Sequence, residues 1–238
     1  PVEGVNGSCP EADIKAVLDN DIRTAYYALK AEQPMSVCTW GESHLEYTYR
    51  EYVVDSAVKD SSVLNSFWLR VIIAENLGPD LVTKYRQVEE AIEEFSLSDT
   101  SSVTAIVNQI NGFLTSQVIY DESPMAHDIY GVLVDEPHRA VCEGLAKTFQ
   151  VLCQKYGLET YTIYGYSIPA LNSTNSYKDS THSWNEVDVD DHEYYVDVTW
   201  NRNTGNRYLM VEKDYIDMEH LMGYRIEEGG LQSELPSA

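Results

Sequence analysis

Apolar positions step by three or four residues through most of the first half of the chain, then switch to every second residue in the second half. Ile14, Val17, Leu18, Ile22, Ala25 and Leu29 predict a first helix, with Pro34 just beyond its end. Residues 45–53 alternate aromatic and polar side chains and predict a strand. Residues 63–77 fit a helix stopped by Gly78-Pro79, and residues 81–95 fit another. On that second helix Glu89, Glu90, Glu93 and Glu94 read as a solvated acidic flank and not as a calcium site. A polar break at 98–102 is rich in helix-capping residues, and a helix carrying Val103, Ile106, Val107, Ile110 and Leu114 is expected to run from it to about Tyr120.

After a loop over 121–139, Cys142, Leu145, Phe149, Leu152 and Tyr156 mark one apolar face of a helix that Gly157 closes. The period then becomes two. Strands are predicted over 160–166, 183–189 and 194–199, with 190–193 turning the last two into a hairpin. Residues 169–180 read as a Ser/Asn-rich loop, and 207–210 as a further short strand. Helices first, then a helix packed on an antiparallel sheet, is an α+β layout. We divide it into a mainly helical region, 1–98, and a core, 99–238, that forms one compact unit.

Composition narrows the partners. The 238 residues are 43% hydrophobic and 23% charged, as expected for a folded chain, and carry a formal net charge of −23. Such a charge repels phosphate backbones and anionic lipid, so nucleic acid is not an expected partner. Apolar runs fall well short of the roughly 20 residues that span a bilayer, so no integral membrane segment is expected. The sequence begins Pro1-Val2-Glu3-Gly4, which reads as a processed end and suits an extracellular or cell-surface protein, with a cytoplasmic one as the alternative. Four cysteines without a Cys-x-x-Cys pair do not make a zinc site. Cys9 and Cys38 are either bridged or free.

Three residues stand in settings that suit chemistry. Cys142 opens its helix, where unpaired N–H groups and the helix dipole favour a thiolate nucleophile. Cys153, on the same face in mid-helix, has no such help and reads as a small core residue. His182 opens the first hairpin strand and Asp197 ends the second, close enough across the pair for a hydrogen bond. An Asp between two valines on a strand needs a partner. Nucleophile, base and orienting carboxylate thus follow in the order Cys–His–Asp.

The stretches Ala140-Val141-Cys142-Glu143-Gly144-Leu145-Ala146-Lys147-Thr148-Phe149-Gln150, His182-Ser183-Trp184-Asn185 and Tyr195-Val196-Asp197-Val198-Thr199-Trp200 resemble the core motifs of the transglutaminase-like superfamily, above all its bacterial members. The resemblance covers roughly residues 100 to 212. It implies a papain-like α+β core with a catalytic triad of Cys142, His182 and Asp197. The family holds cross-linking enzymes, cysteine peptidases, peptide N-glycanases and members without activity. Leu145 stands where the family often has a larger aromatic, and Ser183 where it commonly has Ala; neither touches the triad. No β domains of the animal enzymes follow, so their calcium regulation is not implied. Asp188, Asp190 and Asp191 are explained by a polar turn.

The expected activity is therefore acyl transfer on peptide or protein amides through a Cys142 thioester, ending in hydrolysis or transamidation, with no cofactor and no metal. The Cys142 N–H is the first expected oxyanion donor and Tyr120 a candidate second. Trp184 and Trp200 either wall the cleft or belong to the core. A catalytically silent module that binds peptide or cell-surface polymer is the alternative, and an arylamine acetyltransferase a remote third. Tyr161, Tyr164, Tyr166, Tyr194 and Tyr195 are placed on the strands around the site. The acidic excess lies outside the triad motifs and serves solubility, with a bias toward basic or amine-bearing substrates.

Overall fold

A computed structural model describes residues 25, 28–36, 44–53, 62–72, 80–123, 125–227 and 230–233. Within the first expected helix, residues 25 and 28–32 are helical and Pro34 follows in a turn. The remainder of that segment, and both Cys9 and Cys38, lie outside the described residues.

Strands β1 (His44–Val53) and β2 (Ser62–Ile72) form an antiparallel pair with a bulge at Arg50/Glu51. The second of these corrects the helix expected over 63–77. Its apolar residues satisfy both periods, and β-branched and aromatic content beside a ready partner strand decides for the sheet. Helices α1 (Leu81–Glu94) and α2 (Val103–Gln117) follow as expected, the latter capped by Ser102, whose hydroxyl accepts from the Ala105 N–H at 3.1 Å. α2 stops three residues short of Tyr120. The chain there becomes β3 (Ile119–Tyr120), paired in parallel with β4 (Arg139–Ala140). The loop between them carries a short helix, α3 (Ile129–Leu133).

Helix α4 (Cys142–Lys155) packs on a five-stranded antiparallel sheet. Its strands are β5 (Glu159–Ser167), β6 (Thr181–Val189), β7 (His192–Val196), β8 (His220–Glu227) and β9 (Gly230–Ser233), in spatial order β7-β6-β5-β8-β9. Asp190 and Asp191, at φ of 53° and 62°, make the tight turn between β6 and β7. That turn has two residues and not the four expected over 190–193, and Asn185 faces Val196. Residues 169–180 are not all loop: α5 (Ile168–Thr174) and a 3₁₀ turn (Lys178–Ser180) lie there. The strand expected over 194–199 ends at Val196 and turns into α6 (Val198–Thr204). Residues 207–210 are turns, with Met210 at φ 53°, and the following Val211 alone bridges back to Tyr195. A last helix, α7 (Lys213–Ile216), leads into β8.

The apolar face of α4 is the centre of the core. Leu145, Phe149, Leu152 and Cys153 are fully buried against Ile110 and Leu114 of α2, Val88 of α1 and Val187 and Val196 of the sheet. Polar pins fix the helix in place. Asn185 Nδ2 donates to the Ala146 carbonyl at 2.9 Å and to Tyr161 at 3.2 Å, tying α4 to β5 and β6. Gln150 donates to the Ala31 carbonyl at 2.7 Å and accepts from Thr162 at 2.9 Å.

Gly144 sets how closely the first turn of α4 approaches the segment that supports it, where Val141 N–H donates to Ala126 O at 3.0 Å. A Cβ at Gly144 would land on that same Ala126 carbonyl oxygen, which is backbone and cannot yield. Gly144→Ala is therefore expected to destabilise by about 3 kcal/mol, at the upper end for overpacking, measured by denaturant unfolding. A loss under about 0.5 kcal/mol, the scale of a neutral surface change, would show that the approach is not tight.

Candidate active site

His182 Nε2 meets Asp197 Oδ2 at 2.7 Å, with the Asp fully buried and the His nearly so. Nδ1 is then the ring nitrogen left for Cys142, whose thiol is within hydrogen-bond reach of the imidazole. Cys142 and His182 line one cavity of about 190 Å³, with His127, Glu143, Tyr164 and Lys30 among its walls. The three residues singled out in the sequence thus come together from three elements: the start of α4, the second residue of β6 and the cap of α6.

Asp197 does two things at once. Its Oδ1 accepts from the Trp200 N–H at 2.9 Å and so caps α6, while Oδ2 faces His182. Capping and orienting are one arrangement, because ending β7 at Val196 is what turns the carboxylate into the site. Burial opposes its charge, but the two histidines beside it hold its pKa down to about 2. For His182, burial pushes the other way, and the Asp197 carboxylate overrides it by charge and hydrogen bond, with Cys142 adding to the effect, so the pKa is raised to about 10. The imidazole also stacks on two indoles, Trp200 at 5.4 Å and Trp184 at 6.0 Å, with interplanar angles of 24° and 27°, contacts that suit a cation.

His220, which the sequence reading passed over, is a fourth member. It opens β8 fully buried, and its Nε2 lies 2.9 Å from the same Asp197 Oδ2. Its Nδ1 lies 3.1 Å from the Ile216 carbonyl. The visible signal was its setting, a histidine opening an alternating strand as His182 does. What hid it was distance, since no local pattern links it to Asp197. Among the described residues, His182, Asp197 and His220 are the one group with metal-ligand spacing, one donor atom each within 4.8 Å. Their separations of 2.7 and 2.9 Å from Asp197 are hydrogen-bond lengths that ring protons fill.

The remaining candidates are sorted by burial. Trp184 is a core residue, fully buried among Ile163, Tyr195 and Met222. Gly165 allows this: a Cβ there would strike the Trp184 ring and the Leu221 carbonyl. Trp200 is half-buried and stacks on His182. Tyr120, 47% exposed, sits against Cys142, its phenol oxygen taking the Cys142 backbone N–H. Burial of the phenol, with the thiol beside it, pushes its pKa up to about 12. Cys153 is fully buried in the core, and that burial pushes its thiol far up.

A charge frame holds the residue after Cys142. Glu143 takes Lys147 at 3.0 Å, Lys30 at 2.8 Å and His127 Nδ1 at 3.1 Å. Burial would raise its pKa, but Lys147, then His127 and Lys30, hold it well below the carboxylate range. Lys147, 1% exposed, also reaches the buried Asp128. The carboxylate beside the thiol is thereby neutralised.

The two large shifts set a pH dependence. His182 is raised when folded, so its contribution is complete below its unfolded value near pH 6.5 and is lost as pH climbs toward 10. Asp197 is lowered, so its contribution is complete above about pH 4 and lost toward 2. Both are whole only between about pH 4 and 6.5. Charges facing His182 are Asp197, His220 and Cys142, with His127 beyond the thiol. The unfolding free energy of the protein minus that of His182→Gln is expected to shrink steadily from pH 5.5 through 7.5 to 9.5. A constant difference would contradict the pairing.

Residues 87–199 match the family model described as the transglutaminase-like superfamily. No curated protein matches the chain. Among solved structures, calcium-bound LapG of Legionella pneumophila is similar at 13% identity and a TM-score of 0.41, over 65% of this chain and 80% of that one. A structure described as a TGase is similar at 14% identity and a TM-score of 0.39, over 75% of this chain and 50% of that one. The periplasmic domain of TgpA from Pseudomonas aeruginosa gives 14% identity and a TM-score of 0.31, over 63% and 60%. Among the described residues no helix is long and apolar enough to cross a membrane.

Proposed function

Residues 87–199 place this chain in the transglutaminase-like superfamily, and from that premise we propose that it is a thiol-dependent acyltransferase acting on peptide or protein amides, with Cys142 as nucleophile, His182 as acid and base, and Asp197 as orienting carboxylate. The observation that supports this reading is His182 itself, bound to a buried carboxylate on one side and within reach of a thiol at a helix start on the other.

The steps follow from the protonation this geometry favours. The Cys142 proton rests on His182 Nδ1 before attack, and the sulfur then bonds to the amide carbon as the carbonyl electrons pass to oxygen. The imidazolium, held by Asp197, then gives that proton to the departing nitrogen as the C–N bond breaks, leaving a thioester. Water or a primary amine, deprotonated by His182, attacks the thioester and releases the acid or a new amide. The oxyanion of each tetrahedral stage needs donors, and the Cys142 N–H serves once it turns from the Tyr120 oxygen to the substrate. Half exposed, Tyr120 is free to shift and offer its own O–H as the second donor. His220 acts through Asp197 as a positioning residue.

A library of acetylated peptides, incubated with and without glycine ethyl ester and read by mass spectrometry, tests this. Cleavage alone identifies a peptidase or amidase, and incorporation of the amine a transglutaminase. Neither product, with Cys142 no more reactive than a free thiol, would overturn the reading and leave a silent binding module.

A further inference from the structure

A second cavity, about 460 Å³, lies beside Tyr120 and Trp200. It is lined by Ile119, Tyr120, Thr199, Trp200, Arg202 and Asn203. Two of these touch the proposed machinery directly: Tyr120 lies against Cys142, and Trp200 stacks on His182. The cavity therefore shares two walls with the proposed machinery.

Its charge is unlike that of the first cavity. There, Lys30 and His127 are both satisfied by Glu143, so no free cation faces the substrate. Here, Arg202 has no carboxylate partner among the described residues, in a chain with 39 acidic ones. Among the described residues its guanidinium makes one bond, Nη1 donating to the Leu114 carbonyl at 3.2 Å, which ties α6 to α2 and leaves most of the fork unused. Burial lowers its pKa from the usual range, and the neighbouring Tyr120 phenol acts against that shift. A second, separate sign lies beside it. Thr199 Oγ1 is buried with no hydrogen-bond partner among the described residues. That hydroxyl lies behind the wall of the recess, and the half-buried guanidinium is the donor open to it that lacks an acceptor.

We propose that this cavity is a subsite for a carboxylate carried by the substrate, with the Arg202 fork as its anchor. This rests on the acyl-transfer reading of Cys142. A guanidinium fork matches a carboxylate in two parallel bonds, and partial burial strengthens them over those of a surface lysine. The recess thus selects against the trend of the chain: at −23 overall, the protein attracts cations at long range but holds an anion next to the thiol. The carboxylate belongs either to an Asp or Glu side chain or to a free peptide C-terminus.

The peptide library separates these sources, each member being made with a free and with an amidated C-terminus. Wild-type protein is expected to process acidic members, or C-terminally free ones, about 10- to 100-fold faster than their Gln, Asn or amidated counterparts. Arg202→Gln abolishes that ratio, Arg202→Glu inverts it toward Lys and Arg, and Arg202→Lys keeps a reduced ratio because the charge remains without the fork. If the Gln variant does not fold, raising NaCl on the wild-type protein must still shrink the ratio. A ratio near one, or a ratio unchanged in Arg202→Gln, overturns the subsite. Iodoacetamide labelling of Cys142 in the same samples reads the nucleophile alone. Fast labelling without acid preference refutes only the subsite, and slow labelling refutes the acyl-transfer reading together with it.

Discussion

Asp197→Ala is expected to cost about 3–5 kcal/mol of folding stability, the largest loss of any single substitution at the site. The carboxylate is fully buried and serves three donors: the Trp200 N–H at the start of α6, His182 and His220. Removing it leaves a helix uncapped and two buried rings whose protons face nothing. Asp197→Asn separates the parts. Its side-chain oxygen still caps α6 at near-constant volume, so about 1 kcal/mol of the loss is recovered, while the charge that holds His182 protonated is gone. Denaturant unfolding at pH 6, inside the window where both groups contribute, measures all three proteins. A wild-type-like midpoint for Asp197→Ala would mean that the carboxylate is not the hub described above.

Cys142→Ala carries the largest expected loss of activity, at least about 10³-fold in kcat/KM, with the unfolding midpoint preserved. Cys142 sits at the rim of the core, half-buried, and its thiol fills no part of the packed interior. His182→Ala is expected to cost about as much, and the double variant little more than either alone, because a nucleophile and its base act as a unit. Additive losses in the double variant would mean that the two residues work separately. Cys153 provides the internal control, since its burial between α4 and the sheet keeps its thiol protonated.

What local pattern carries was visible in the sequence, and what depends on distant pairing was not. The start of α4 and its apolar face follow from the three- and four-residue steps of Leu145, Phe149 and Leu152. The β6–β7 hairpin follows from alternation and the Asp190-Asp191 turn. Residues 63–77 went wrong because their apolar residues fit either period, and only the partner strand β1 resolves them. The turn is shorter than expected because Asp190 and Asp191, both at positive φ, close it in two residues instead of the four over 190–193. Asp197 was placed on a strand and is found capping a helix, yet its partner His182 is the one expected. His220 lay outside the reading because it joins the site only through β8, which pairs with β5 and brings the last third of the chain beside Asp197. Arg202 gave no signal either, since an arginine on a short polar helix stands out only once its neighbours prove to hold no carboxylate.

The central claim is that His182 and Cys142 act on one another as base and nucleophile. The rate of iodoacetamide labelling at pH 6, located by mass spectrometry in wild-type protein, His182→Ala and Cys142→Ala, tests it most directly. The account predicts labelling confined to Cys142, at least about 10-fold faster than that of a free thiol, slowed to the free-thiol rate in His182→Ala and absent from that position in Cys142→Ala. Labelling of wild-type Cys142 at the rate of a free thiol, indifferent to His182, would contradict it.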